Sequence, residues 1–436
     1  MQISFQELKI RAQLPLTFFF FFSLSIIRYP IYLLHPNFYA EDGTVFFNGA
    51  ITRGFFGIFD SFNGYPIIGV RLIANIVNVV SLFPLCHNLE ASALINSLFS
   101  IGIWSLFGFM TVLVLRKYIG FAWGFFAGLL VVLTPISGWN YAILGVLGNL
   151  KFGFFYFGFL LLLDRWSDTE WGLRNKILFL LCFFTNPISI ILLIFFIFDF
   201  KSLRFFFRKS DLIYIMSLGF MAILVFKNAQ KFPLPNDYKF GSWNAKKLSE
   251  VLLGRDYFFP FFSNEYHMFS YNLIFVASIL ILITLFFVKG HSRILSIFGF
   301  TLSTIVSVAL MLARGGLSSF FTGFNDPGPA QFFYPQNMIV IVSAIIAISQ
   351  FSLFYRVKSS KLALFQSIIL IAYVGLNFQG IGFLGHGTNG NWQISQGGLN
   401  SNISKACSLH SSDLVSVPIL PGSPWALEMS RKQICK

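Results

Sequence analysis

HPNFYAEDGTVFFNGAITRGFFGIFDSFNGYPIIGVR, residues 35–71, follows the first apolar run and gathers charge in a chain that has little of it. It holds Glu41, Asp42, Arg53, Asp60 and Arg71, while only 11% of the protein is charged. Two adjacent carboxylates beside a glycine, just outside an apolar run, admit two readings. Asp is a favoured helix N-cap, so Asp42 can cap a short helix opening at Gly43. Alternatively, one carboxylate serves as a general base. Neighbouring residues point in different directions on a helix or strand, so the pair cannot share one task.

What flanks this stretch makes it an outer loop. The 436 residues would suit two or three soluble domains, but 56% are hydrophobic and 59 are Phe. Several runs reach or approach the roughly 18–20 apolar residues that cross a bilayer. A soluble enzyme is excluded, and the expected fold is an all-α polytopic membrane protein. The formal charge of +14 sits mainly in short loops between apolar runs. That is the positive-inside pattern, and it implies no nucleic acid partner.

Loop charges order the spans. Lys9 and Arg11 place the N-terminus inside, and residues 15–34 form the first span. Arg28 lies near its outer end, where a long side chain can snorkel to the interface. Residues 67–85 carry Arg71, Asn75 and Asn78 at i, i+4 and i+7, a polar stripe that suits the interface plane. With that segment on the surface, residues 91–115 become the second span and Arg116-Lys117 fall inside. The third span, 119–136, carries Gly120, Gly124 and Gly128, a spacing that permits close helix packing.

Residues 152–163 form the fourth span. Residues 177–198 have basic loops at both ends, so they read as two short spans meeting at Asn186-Pro187, after Thr185. Irregular backbone at that depth must be buried in protein or line a wet cavity. Spans at 212–226, 269–288, 294–313, 338–355 and 362–378 complete about eleven. The outer loops are 35–90, 137–151, 227–268 and 314–337, and residues 379–436 form an outer C-terminal tail. Within 227–268, LSEVLLGRDYFFPFF reads as a second interfacial helix. The Phe run at 18–22 reads as lipid-facing.

Chemistry collects outside, because the inner loops are short and basic. Beyond Glu41 and Asp42, Arg71 and Arg314 are isolated arginines able to grip a phosphate, with Lys151 and Arg53 as weaker versions. Contact with lipid headgroups is the plainer role for all four. Trp139, Asn140 and Tyr141 are placed to meet a sugar, although an aromatic belt explains the rings equally well. Asp326, in NDPGP, is most simply a turn residue. Of the four cysteines, Cys407 and Cys435 stand in the tail, where an oxidising compartment permits a disulfide. No CxxC or Cys/His spacing suggests a metal site. P-loop, GxGxxG and GxSxG motifs are lacking.

Ala40-Glu41-Asp42-Gly43 with Phe46 and Ala50 resembles the first outer loop of the GT-C membrane glycosyltransferases. The resemblance extends to the interfacial segment, the pair of short spans and the outer tail. Within that superfamily the chain is most similar to bacterial O-antigen glucosyltransferases of the Gtr type. Aminoarabinose transferases and protein O-mannosyltransferases are more distant.

The resemblance implies transfer of a sugar, a hexose such as glucose, from a polyprenyl-phosphate donor. The acceptor would be a cell-surface polysaccharide or glycolipid on the outer face of a bacterial inner membrane. It implies a carboxylate base, carried to Asp42 with Glu41 second. The aminoarabinose transferases hold a Lys-Pro-Pro before the interfacial segment; Gly64-Tyr65-Pro66 stands here instead. That leaves Arg71 and Arg314 for the donor phosphate, an arrangement that does not demand a divalent metal. On this reading, residues 1–378 are the glycosyltransferase domain. The rival readings are a polysaccharide-lipid flippase and an O-antigen polymerase or ligase. A flippase would place charge within its spans or show internal symmetry, and neither is visible.

Overall fold

The structure, a computed structural model, describes residues 5–62, 64–82, 88–136, 143–167, 172–196, 250–263, 290–313, 330–354, 359–383, 398–409, 413–420 and 425–435. Isolated positions between 198 and 288 are described as well. It is mostly helical, and five helices are long and apolar enough to cross a bilayer among the described residues. Of the expected spans, 212–226 is described only at scattered positions and 269–288 only at Val288.

α1 (Phe5–Arg28) ends just before Tyr29-Pro30, and a short α2 (Ile31–Leu34) follows. A π-helical turn (Asp42–Phe47), α3 (Asn48–Arg53) and a 3-10 turn (Gly54–Phe59) then fill the first loop. β1 (Ser61–Phe62) and β2 (Tyr65–Pro66) form a small hairpin leading into α4 (Ile68–Ser81). With 14 residues, α4 is about 21 Å long, short of the roughly 30 Å hydrocarbon core. Its polar stripe does not face water as expected. Arg71 is buried, Asn78 Nδ2 donates to Ala50 O, and the exposed side chains are Ile76, Val79 and Leu82. The stripe faces the loop's own helices, and the apolar side faces outward.

α5 (Leu89–Val132) has 44 residues but is not one rod. Gly120 takes φ 79° and ψ 168°, a conformation open to glycine, and the helix doubles back there. The limbs then press together. A Cβ on Gly128 would lie 2.7 Å from Gly108 O, and one on Gly124 would lie 3.0 Å from Arg116 N. Small residues permit this approach, so the glycine spacing does mark a tight helix pair.

α6 (Leu150–Ser167) is central. Every residue from 152 to 163 is buried, as expected of a helix apolar on all sides. α7 (Leu173–Phe183) and α8 (Ile190–Phe196) flank the break at Thr185-Asn186-Pro187. Both Thr185 and Asn186 are buried in protein. Strands β3 (Phe198–Asp199) and β4 (Arg204–Phe205) pair beyond it.

α9 (Gly290–Ala313) and α10 (Ala330–Phe354) pack together, and α10 begins earlier than expected, taking in residues 330–337. α11 (Ser359–Ile381) exposes Leu364, Phe365, Ile368 and Ile371, a surface suited to lipid. Of the Phe18–Phe22 run, Phe19 and Phe20 are exposed, but Phe21 is fully buried against Phe125.

Two expectations about charge are overturned. Arg28 does not snorkel; it is fully buried and donates to Val132 O, Thr134 O at 2.9 Å and Ile381 O at 2.9 Å. It therefore satisfies carbonyls at the C-terminal ends of α5 and α11, which a cation suits. The segment Glu250–Phe258 is a π-helical piece with Arg255 and Asp256 buried, rather than an interfacial helix.

The tail is a folded unit. α12 (Leu399–Leu409), β5 (Leu414–Pro418), β6 (Ala426–Ser430) and α13 (Arg431–Ile434) are closed by a Cys407–Cys435 disulfide. It docks on the first loop: Leu420 N donates to Phe38 O, and Ala40 N to Leu420 O at 2.5 Å.

Candidate functional site

The turn that presents Glu41 and Asp42 is locally strained. Ala40 has φ 43°, the only positive value for a non-glycine among the described residues. The tail's bridge to Tyr39 holds the chain there. Gly43 lies under the tail, since a Cβ on it would meet Ile419 Cδ1 at 2.6 Å.

Asp42 does not cap the helix that follows it. Its carboxylate accepts from Asn96 Nδ2 at 2.9 Å, Leu147 N at 2.6 Å and Gly148 N at 2.6 Å. Leu147 and Gly148 open the 3-10 turn (Leu147–Asn149) that leads into α6. The cap is therefore right in kind, but it serves a helix over a hundred residues away. Burial pushes Asp42 up to about 7, against the pull of hydrogen bonds from Gly148, Asn96 and Leu147. The half-buried Glu41 adds to the rise through its charge.

Gly148 is required at this contact. A Cβ on it would lie 2.9 Å from Phe46 Cε2 and 3.0 Å from Asp42 Oδ1. Asp42 and Phe46, four residues apart on the π-helical turn, thus lie against the same backbone. Arg71 lies against the same ring, with Cζ 5.6 Å from the Phe46 centroid. Its side chain is 5% exposed, and Nε has no hydrogen-bond partner. The charges acting on it are Asp60, which is paired with Arg53 at 2.6 Å, and Arg53 itself.

Phe46 and Phe62 lie 5.6 Å apart, and Lys151 Nζ sits 5.2 Å from both the Phe62 and the Phe152 centroids. One carboxylate and two cations therefore surround a pair of aromatic rings. The break before α8 steadies this group: Asn186 Nδ2 donates to Lys151 O at 3.0 Å, and Thr185 Oγ1 accepts from Gly69 N at 2.8 Å. An excess of positive charge beside a carboxylate suits an anion next to a proton acceptor.

A cavity of about 410 Å³ opens between the first loop and the tail, lined by Phe47, Ile51, Asn78, Ser92, Met429 and Lys432 among others. Ser92 is one turn of α5 before Asn96, the partner of Asp42.

Of the sequence-derived candidates, Asp42, Glu41 and Arg71 belong to one region. Arg314, Trp139, Asn140 and Tyr141 lie outside the described residues. Lys151 has a larger place than its sequence context suggests. Sequence reading missed Asn96, whose position on an apolar helix is its only signal, and the buried Arg255-Asp256 pair. No group of three or more His, Cys, Asp or Glu able to hold a metal is found among the described residues. The chain matches no family model, no curated protein and no solved structure.

Proposed function

We propose that the protein is a membrane glycosyltransferase that takes a sugar from a polyprenyl-phosphate donor at its outer face. In this reading the N-terminus is inside, about eleven spans cross the bacterial inner membrane, and the tail is outside. The observation that carries it is the buried Arg71 guanidinium, without a hydrogen bond at Nε, on the ring that also abuts Asp42. A buried guanidinium N–H left without an acceptor is costly, and a phosphate oxygen would satisfy it.

Asp42 takes the proton of an acceptor hydroxyl that enters from the cavity between loop and tail. The hydroxyl oxygen attacks the anomeric carbon, the bond to the phosphate oxygen breaks, and the phosphate leaves onto Arg71 and Lys151. An acid poised at about 7 suits a base at neutral pH. The acceptor would be a cell-surface polysaccharide or glycolipid, and the sugar a hexose such as glucose. A nearly charge-free set of spans favours this over a flippase.

The test is transfer from a polyprenyl-phosphate hexose by protein reconstituted in nanodiscs. Wild type should transfer, and Asp42→Asn should lose about 10²-fold or more in rate while still inserting and folding. Full activity in Asp42→Asn removes it from the base role. Transfer only from a diphosphate donor, with lengthening of the glycan, replaces this reading with a polymerase.

A further inference from the structure

A second buried polar group stands apart from Asp42. Asp256 is fully buried, and Ser307 Oγ donates to its Oδ1 at 2.8 Å, but its Oδ2 has no hydrogen-bond partner. Asn337 Nδ2 donates to Arg255 O at 2.9 Å and Asp256 O at 3.1 Å, which leaves Asn337 Oδ1 without a donor. The adjacent Gln336, 1% exposed, has neither Oε1 nor Nε2 bonded. Ser303 Oγ, one turn of α9 before Ser307, is also unbonded. Buried polar atoms are nearly always satisfied, so orphans on these four side chains call for a missing partner.

The chemistry of these atoms narrows the partner. Asp256 Oδ2, Asn337 Oδ1 and Gln336 Oε1 accept, whereas Gln336 Nε2 donates. The buried Arg255 guanidinium is beside Asp256, its Cζ 3.8 Å from the Phe259 centroid, and its charge acts on that carboxylate. A metal cation added there would bury net positive charge, which the surroundings do not balance. A neutral hydroxyl both donates and accepts, at no cost in charge.

We propose that Asp256, Asn337 and Gln336 form a carbohydrate subsite that binds the hydroxyl groups of a sugar ring. Phe332, on the same turn of α10, packs 5.2 Å from Phe152, the ring beneath Lys151. The subsite is thereby linked to the first group through one aromatic contact. Its sugar would belong to the donor or the acceptor of the proposed transfer, so the assignment of its role rests on that reading.

The test begins with free hexoses (glucose, galactose and mannose) and full-length protein in nanodiscs, with saturation-transfer NMR as the readout. Wild type should bind at least one of them, with glycerol as the comparison. Gln336→Leu removes no hydrogen bond of the structure, so its thermal stability should hold while hexose affinity falls at least tenfold. Asp256→Asn should weaken binding similarly. Absence of hexose binding in wild type, or wild-type affinity in Gln336→Leu and Asp256→Asn, overturns the proposal.

Source is read by comparing polyprenyl-phosphate hexose, bare polyprenyl phosphate and an acceptor oligosaccharide. Selective loss of the hexose-bearing lipid in Asp256→Asn assigns the donor sugar, and selective loss of the oligosaccharide assigns the acceptor. Equal loss of the bare lipid overturns a sugar subsite. Because the hexose readout needs no transfer, loss of hexose binding in the variants with no turnover in wild type would sink the glycosyltransferase reading and leave the subsite standing.

Discussion

Truncating Asp42 tests whether its carboxylate ties three parts of the chain together. Asp42→Ala strands Asn96 Nδ2, Leu147 N and Gly148 N, all of which donate to it. A buried donor left without an acceptor costs about 1–3 kcal/mol, so the three together should cost roughly 3–6 kcal/mol once partial relaxation is allowed. Asp42→Asn keeps the shape and one oxygen but turns an amide N–H toward a donor. That one conflict should cost about 1–3 kcal/mol. Equilibrium unfolding in mixed micelles should therefore rank wild type above Asn and Asn above Ala. An Asp42→Ala protein as stable as wild type would refute the tie, and the strained turn at Ala40 would need another support.

Other outcomes follow from the same geometry. Asp42 is held up to about 7, so a base role predicts a transfer rate that climbs with pH below about 7 and levels above it. Stability runs the opposite way: the unfolded carboxyl releases its proton near 3.8, the folded one near 7, so the folded state holds more protons between them. Stability should fall as pH rises through that window, and on toward 8 because burial pushes Asp256 up to about 8; melting at pH 5 and pH 8 measures this. Arg71→Lys loses the planar fork and should raise donor KM at least tenfold with a smaller change in kcat. Gly69→Ala places a methyl 2.5 Å from Thr185 Oγ1 and 2.9 Å from Phe154 Cζ, and should destabilise by about 1–3 kcal/mol in the same unfolding assay. Reducing Cys407–Cys435 should loosen the tail, a loss of about 3 kcal/mol, and expose the 413–430 hairpin to protease.

Much of this was legible from local pattern. Apolar run length makes a membrane protein, Pro187 breaks a helix, and glycines four apart bring two helix limbs together, because each effect acts within a few residues. The acidic pair stood out for its rarity, and the stripe on α4 placed Arg71 on the same helical face as Asn75 and Asn78. Composition and spacing, by themselves, reached no further than that.

The partners needed the tertiary structure. Whether Asp42 caps its own helix or α6 depends on a contact 106 residues away, and Arg28 meets Ile381 across 353. Stripe geometry shows which residues share a side but not whether that side meets water, so Arg71 became a buried cation only when α4 packed on the first loop. Asp256 lies in a segment that reads as an interfacial helix, and it is buried only because α9 and α10 pack over that segment. Sequence by itself determined the membrane class, the helix breaks and the acidic loop, because those follow from short-range propensity and the length of apolar runs. Only the tertiary structure decided which charges are buried and what they hold, because burial and hydrogen bonding are set by chain segments far apart in sequence.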